Sequence, residues 1–380
     1  MIVAYRRPKV RNRVGEGESG SEAATMSTPG PPVTGTIEVR EAHRFDVAAF
    51  ERYMARHVEG FTGPLAVRQF EGGQSNPTYY MAAGGREYVL RRKPPGKLLP
   101  SAHLIEREYR IISALAGTGV PVPRTHTLCE DTSVIGTAFF VMDCVHGRVF
   151  STPRLPGLAP EERAAIYNGM IDVLARLHRV DWQVLGLADF GRPGNYFARQ
   201  IHRWTEQYRA SETETIPSME RLIAWLPQHI PPDDHTSIVH GDYRLANMIV
   251  HPSEPRIAAV LDWELSTLGH PLADLAYNCM PYRLSGDIFE GLLGENLAGL
   301  GIPTEDACVA AYCQRTGRAD IPDWEFYLAF AMFRLAAIAQ GIMGRVLAGT
   351  AAAANARARG AMARPLAHAA WAVVNRRAGN

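Results

Sequence analysis

The block from Ile238 to Glu264 constrains this 380-residue chain more than any other stretch of it. Apolar Ile238-Val239 leads into His240-Gly241-Asp242-Tyr243-Arg244-Leu245-Ala246-Asn247. Met248-Ile249-Val250 follows, and after a polar turn Ala258-Ala259-Val260-Leu261 ends in Asp262-Trp263-Glu264. Short apolar runs bounded by polar residues read as buried strands. The resulting hairpin gathers Asp242, Asn247 and Asp262 at its mouth. A loop aspartate alone is usually a turn former and an asparagine alone a cap. Together, at these spacings, they form the set that phosphoryl transfer requires. One carboxylate orients the acceptor hydroxyl, and an amide and a second carboxylate offer oxygen to Mg2+ on nucleotide phosphates.

The rest of the chain bounds the setting. Its length exceeds what one simple core usually serves, so two packed lobes plus a tail are expected. Hydrophobic residues at 46%, charged residues at 21% and a net charge of +1 give the balance of a soluble globular protein. Nothing electrostatic points to nucleic acid or a membrane. Five scattered cysteines without paired spacing suggest neither disulfides nor a zinc site. No stretch reads as a membrane span and the start lacks a secretion signal, so a cytoplasmic location is expected.

Residues 1–40 are rich in Gly, Ser, Pro, Thr and Glu and read as a disordered tail. Periodicity predicts a helix from Phe45 to Val58, strands at Leu65–Phe70, Thr78–Met81 and Tyr88–Arg91, and a helix from Ala102 to Leu115. Two more strands are expected at Arg124–Leu128 and Ala138–Val145. From about Pro160 the pattern is mainly helical. The fold class is therefore α+β, with an N-terminal lobe over 41–145, an antiparallel sheet plus helix, and a mainly helical C-terminal lobe over 146–380.

HGDYRLANMIV followed by VLDWE resembles the catalytic loop and metal-binding segment of the aminoglycoside phosphotransferase family, which is related to choline kinases and protein kinases. The resemblance covers roughly residues 60–345 and implies a two-lobed, protein-kinase-like fold with ATP and Mg2+ as cofactors. It implies Asp242 as catalytic base, Asn247 and Asp262 as metal ligands, and His240 as a loop-structuring residue. Glu264 is left between a contact near the metal and a structural role. Asp274, in Gly269-His270-Pro271-Leu272-Ala273-Asp274, should brace the catalytic loop.

The same resemblance calls for a phosphate-covering loop, a cation and a carboxylate in the N-terminal lobe. Gly72, Gly73, Ser75 and Asn76 lie between two strands, where small residues let backbone N–H groups approach phosphates. Arg91 stands where kinases carry a lysine. Strand alternation turns Val89 and Arg91 toward the cleft and Leu90 and Arg92 away. Lys93 shares that parity, but Pro94-Pro95 ends the strand. Glu108 is the expected partner of Arg91, with Glu106 the alternative. In the inter-lobe hinge Met142-Asp143-Cys144-Val145, the backbones of Asp143 and Val145 are expected to meet adenine.

The acceptor pocket should come from helices after Pro281. A polycationic antibiotic would need a visibly acidic site, yet arginines outnumber acids from residue 280 to the end. A neutral, anionic or partly apolar hydroxyl compound is therefore expected, with an aminoglycoside and a catalytically weak nucleotide-binding regulator as alternatives. GGQSNPTY and YVLRRKPPG are similar to the phosphotransferase domain of certain multidomain acyl-CoA dehydrogenases, which suggests a hydroxyacyl metabolite. The long C-terminal pattern could close the pocket or form a dimer surface, so monomer and homodimer both stand as expectations.

Overall fold

The computed structural model describes residues 35–71, 76–95, 104–351 and 355–378. Six antiparallel strands form the N-terminal sheet: β1 (Thr36–Ile37), β2 (Ala66–Phe70), β3 (Thr78–Ala83), β4 (Arg86–Arg92), β5 (Thr125–Cys129) and β6 (Phe139–Asp143). Their spatial order is β1-β2-β3-β4-β6-β5. Thr36 and Ile37 pair with Phe70 and Gln69, so the sheet begins inside the stretch read as tail, while residues 1–34 lie outside the described residues.

Alternation along the strands sorts two apolar faces. Tyr79, Met81, Tyr88, Leu90, Phe139 and Val141 bury one face against Phe50, Met54 and Val58, the last beside and the first two on helix α1 (Val47–His57). Tyr80, Val89, Phe140 and Met142 bury the other against α2 (Ile105–Leu115) and the cleft. Ile105, Ile111, Ile112 and Leu115 form the buried stripe of α2. Each such side chain contributes about 1.5–3 kcal/mol on burial, and Ile112→Ala should cost roughly 2–5 kcal/mol.

The helical lobe contains α3 (Pro160–Arg179), α4 (Tyr196–Ala210) and α5 (Pro217–Trp225). Next come strands β7 (Ser237–Val239), β8 (Met248–Val250), β9 (Ile257–Val260) and β10 (Thr267–Gly269). The lobe ends with α6 (Leu272–Cys279), α7 (Leu297–Leu300), α8 (Glu305–Thr316), α9 (Trp324–Leu347), α10 (Ala356–Gly360) and α11 (Ala363–Ala378). β8 and β9 form one two-stranded unit, and β7 with β10 the other. α9 is the central pillar, packed by α4, α6, α10 and α11. It is long and apolar enough to cross a membrane by length and composition, contrary to expectation, but 72% of its apolar window is buried inside the fold. Other helices cover most of it.

The connection between lobes is drawn onto the β8–β9 hairpin. Arg148 pairs with Val250, each N–H donating to the other's carbonyl at 2.7 and 2.9 Å. A Cβ on the preceding Gly147 would sit 2.2 Å from Val250 O, so only glycine allows this approach.

Candidate active site

The catalytic-loop candidates are built around two buried groups, His240 and Asp274. β7 delivers His240, whose Nε2 donates to Leu261 O at 2.9 Å while Nδ1 accepts from the Asp242 N–H at 3.2 Å. That pairing orients the imidazole and ties the loop to the segment ending in Asp262. Asp274, in the first turn of α6, accepts from the N–H groups of His240 and Gly241 at 2.6 and 2.9 Å. Burial alone would raise its carboxyl. His178, 3.5 Å away, and the His240 N–H hold it below the usual range. Gly241 has φ +83°, and a Cβ there would meet Leu265 O at 2.7 Å. The brace expected of Asp274 is therefore a pair of hydrogen bonds to loop backbone.

Asp242 projects half-buried from this loop. Asn247 Nδ2 donates to its carbonyl at 2.9 Å and to Oδ2 at 2.7 Å, and Arg244 Nε donates to Oδ2 at 3.3 Å. Because the Asn247 amide nitrogen is spent on Asp242, its oxygen is the end left for a cation. The Leu261 N–H donates to Asn247 O at 2.8 Å, which sets Asn247 beside Asp262 on the neighbouring strand. Asp262 takes a left-handed conformation (φ 68°) as the chain leaves β9, turning its carboxylate toward the sheet lobe.

Arg91 crosses to meet it. Its Nε lies 2.7 Å from Glu108 Oε2, an ion pair off the ideal hydrogen-bond line. Its Nη2 donates to Asp262 Oδ1 at 3.1 Å and Glu264 Oε2 at 3.2 Å. Glu108 is thus the partner of Arg91, while Glu106 pairs with Lys93. Arg92 points to the opposite face, stacked near Phe45 and Tyr79, as alternation requires. Three acidic side chains surround one guanidinium. Burial works to lower Arg91, but those acids outweigh it and keep Arg91 charged. Burial pushes the Glu108 carboxyl up to about 8; Arg91 opposes this, and Asp262 and Glu264 add repulsion. Asp262 is drawn below the usual range despite burial, because Arg91 faces it.

The donor set can be tested against Mg2+. Among the described residues no cluster of three or more His, Cys, Asp or Glu side chains could hold a metal. One amide oxygen and one carboxylate remain, beside a local excess of negative charge. Mg2+ suits such a site, since it keeps waters and takes phosphate oxygens as its other ligands. Asn247 and Asp262 fit that role.

Other candidates fall on less informative ground. Gly72, Gly73 and Ser75 lie outside the described residues, and Asn76 is buried two residues before β3. The Asp143 N–H already donates to Arg124 O at 2.8 Å and its carboxylate accepts from His126 Nε2 at 2.6 Å, so an adenine contact there would fall to the carbonyl. Val145 is half-buried at the lobe connection.

A pocket of about 80 Å³ lies next to the catalytic loop. Arg244 and Tyr277 line it, and the Tyr277 hydroxyl interacts with the Asp242 carboxylate. Burial, then that carboxylate, drives the Tyr277 hydroxyl far above its ordinary range. Met170, Met280, Phe289 and Leu292 supply apolar walls, and no acidic side chain lines the pocket. Part of the wall is Pro281, Tyr282, Phe289 and Leu292. The rest comes from residues 151–170, 244–246 and 277–280, and none from Trp324 onward, whose aromatic residues are core. Arg244, Tyr277 and Arg334 were missed as functional residues. Arg334 had one available signal, an arginine interrupting the apolar run from Phe326 to Ala339.

Residues 66–330 match the model of the phosphotransferase enzyme family. Among curated relatives, mouse acyl-CoA dehydrogenase family member 10 is 49% identical over 89% of this chain and 32% of its own length. Chicken acyl-CoA dehydrogenase family member 11 is 45% identical over 88% of this chain and 44% of its own. The chain thus spans less than half the length of these relatives. A crystal structure of a candidate aminoglycoside phosphotransferase from Ralstonia eutropha superimposes with a TM-score of 0.82 at 55% identity. It covers 88% of this chain and 99% of the other.

Proposed function

Because this chain belongs to the phosphotransferase enzyme family, with its kinase-like fold, we propose that it transfers the γ-phosphoryl group of ATP, with Mg2+, to a hydroxyl of a neutral or anionic, partly apolar small molecule. A hydroxyacyl metabolite is the leading acceptor class. The observation that carries this reading is the Asp242 carboxylate, held by Asn247 and by Arg244, which is itself the one charged side chain lining the neighbouring pocket.

Asp242 receives the acceptor hydroxyl and takes its proton as the acceptor oxygen bonds to the γ-phosphorus, while the bond from that phosphorus to the β–γ bridging oxygen breaks and ADP leaves. Asn247 and Asp262 would hold Mg2+, which when bound would supply positive charge to offset that of the nucleotide phosphates. Arg91, fixed by Glu108, presents its guanidinium fork to phosphate oxygens. The backbones of Asp143 and Val145 face adenine at the lobe connection, with Gly72, Gly73, Ser75 and Asn76 covering the phosphates. Arg244 meets the negative charge of the acceptor, and the apolar wall holds its chain. The protein works in the cytoplasm, with no nucleic-acid or membrane partner, as a monomer or homodimer.

The Ralstonia protein's description raises an aminoglycoside acceptor as the rival reading. A polycation entering this pocket would meet Arg244 and no wall carboxylate, which disfavours it. Incubating the protein with MgATP and parallel panels of hydroxyacyl thioesters, hydroxy acids and aminoglycosides discriminates. Phosphate esters in the first two panels are expected. Phosphorylation of aminoglycosides alone would overturn the acceptor assignment.

A further inference from the structure

The strongest feature outside the machinery already described is Arg334, a cation in the middle of the buried face of α9. Every residue from Phe326 to Ala337 is buried, and Arg334 is itself 8% exposed. Its Nη2 donates to Gly241 O at 2.6 Å, and its guanidinium lies over the rings of Trp204 and Tyr277, at 5.6 and 5.8 Å. Among the described residues no carboxylate lies within ion-pair distance of it.

A helix needing only to fill space would do better with Met or Leu, since burying a guanidinium without a carboxylate is costly. What the arginine adds is a hold on the loop. Gly241 is gripped from both sides: its N–H by the Asp274 carboxylate and its carbonyl by the Arg334 cation. Charge-assisted bonds of this kind are short and strong. They fix two successive peptides at a left-handed glycine, directly before Asp242, where a peptide flip would otherwise be easy. The same guanidinium backs the ring of Tyr277, which neighbours Asp242.

We infer that Arg334 is a positioning residue for phosphoryl transfer, locking the Gly241 carbonyl and the Tyr277 ring so that Asp242 keeps its aim. The catalytic part rests on the function proposed above; the effect on the loop does not. The test compares Arg334→Met and Arg334→Lys with wild type by amide hydrogen exchange and by MgATP turnover. In Arg334→Met, exchange over residues 240–247 should rise about tenfold or more while the β2–β4 sheet is unchanged. Arg334→Lys should recover part of that protection. Turnover should fall in the same order, with KM for MgATP within about twofold of wild type.

Wild-type loop exchange in Arg334→Met, or a rise spread evenly over the chain, overturns the inference, as does a KM for MgATP that moves with kcat. If Arg334→Met does not fold, Arg334→Lys decides: a rise confined to 240–247 supports the inference and an absent or global rise refutes it. A wild-type protein without turnover speaks against the proposed function, and the exchange comparison then decides the role of Arg334.

Discussion

Replacing Glu108 by Gln should remove a pH dependence of stability that the wild-type protein carries. The Glu108 side chain is 1% exposed, and burial pushes its carboxyl up to about 8 from an ordinary 4.5. The unfolded chain releases this proton near the ordinary value, whereas the folded chain keeps it until about pH 8. The folded state therefore binds the extra proton between those limits. Its contribution is most favourable below the unfolded value, declines as pH rises and levels off above about 8. One proton gives a slope of at most about 1.4 kcal/mol per pH unit, so about 2 kcal/mol from about pH 6.5 to 8. Gln keeps the shape and has no proton to lose. His178 and His270, which burial holds below their ordinary range, titrate alike in both proteins and cancel in the difference. Urea unfolding of both proteins across this range reads the effect as a gap that changes with pH. Parallel stability curves would refute the reading of a carboxyl raised by burial among Asp262 and Glu264.

Arg91→Met should destabilise by about 3–5 kcal/mol, because Glu108, Asp262 and Glu264 lose the cation they share; a smaller loss by urea unfolding would count against the buried pair. Arg91→Lys should fold but raise KM for MgATP roughly tenfold or more, since a point charge cannot reproduce the fork. Asp274→Ala should cost about 2–5 kcal/mol and lower kcat, as two buried N–H groups lose their acceptor. Gly241→Ala should cost about 1–3 kcal/mol or more in thermal unfolding, given its positive φ and the Leu265 carbonyl in the way. Leu292→Asp, which puts an acid on the pocket wall, should raise KM for an anionic acceptor about tenfold or more while leaving KM for MgATP unchanged.

Much of this was legible in the sequence where periodicity and side-chain chemistry act locally. Two-residue alternation predicted that Val89 and Arg91 share a face and that Arg92 does not. The structure sends Arg91 to Glu108 and Asp262, and Arg92 to Phe45 and Tyr79. The hairpin that brings Asp242, Asn247 and Asp262 together was likewise readable from its apolar strands. Thr36–Ile37 was not, because two residues carry no period and the strand exists only through pairing with β2. Arg334 and Gly241 are far apart in the chain, and nothing local to α9 shows which carbonyl its arginine meets. The left-handed turn at Asp262 also escaped, since strand propensity gives no sign of where a chain must leave its strand to aim a carboxylate.

The central claim is that Asp242 serves phosphoryl transfer to a hydroxyl. It is tested most directly by following MgATP consumption and phosphate-ester formation by 31P NMR, for wild type and Asp242→Ala matched for ATP binding. The account predicts ester formation with a hydroxyacyl or hydroxy-acid acceptor in wild type and its loss in the variant, with ATP still bound. Equal ATP binding with no consumption by either protein, across the whole acceptor panel, would contradict it.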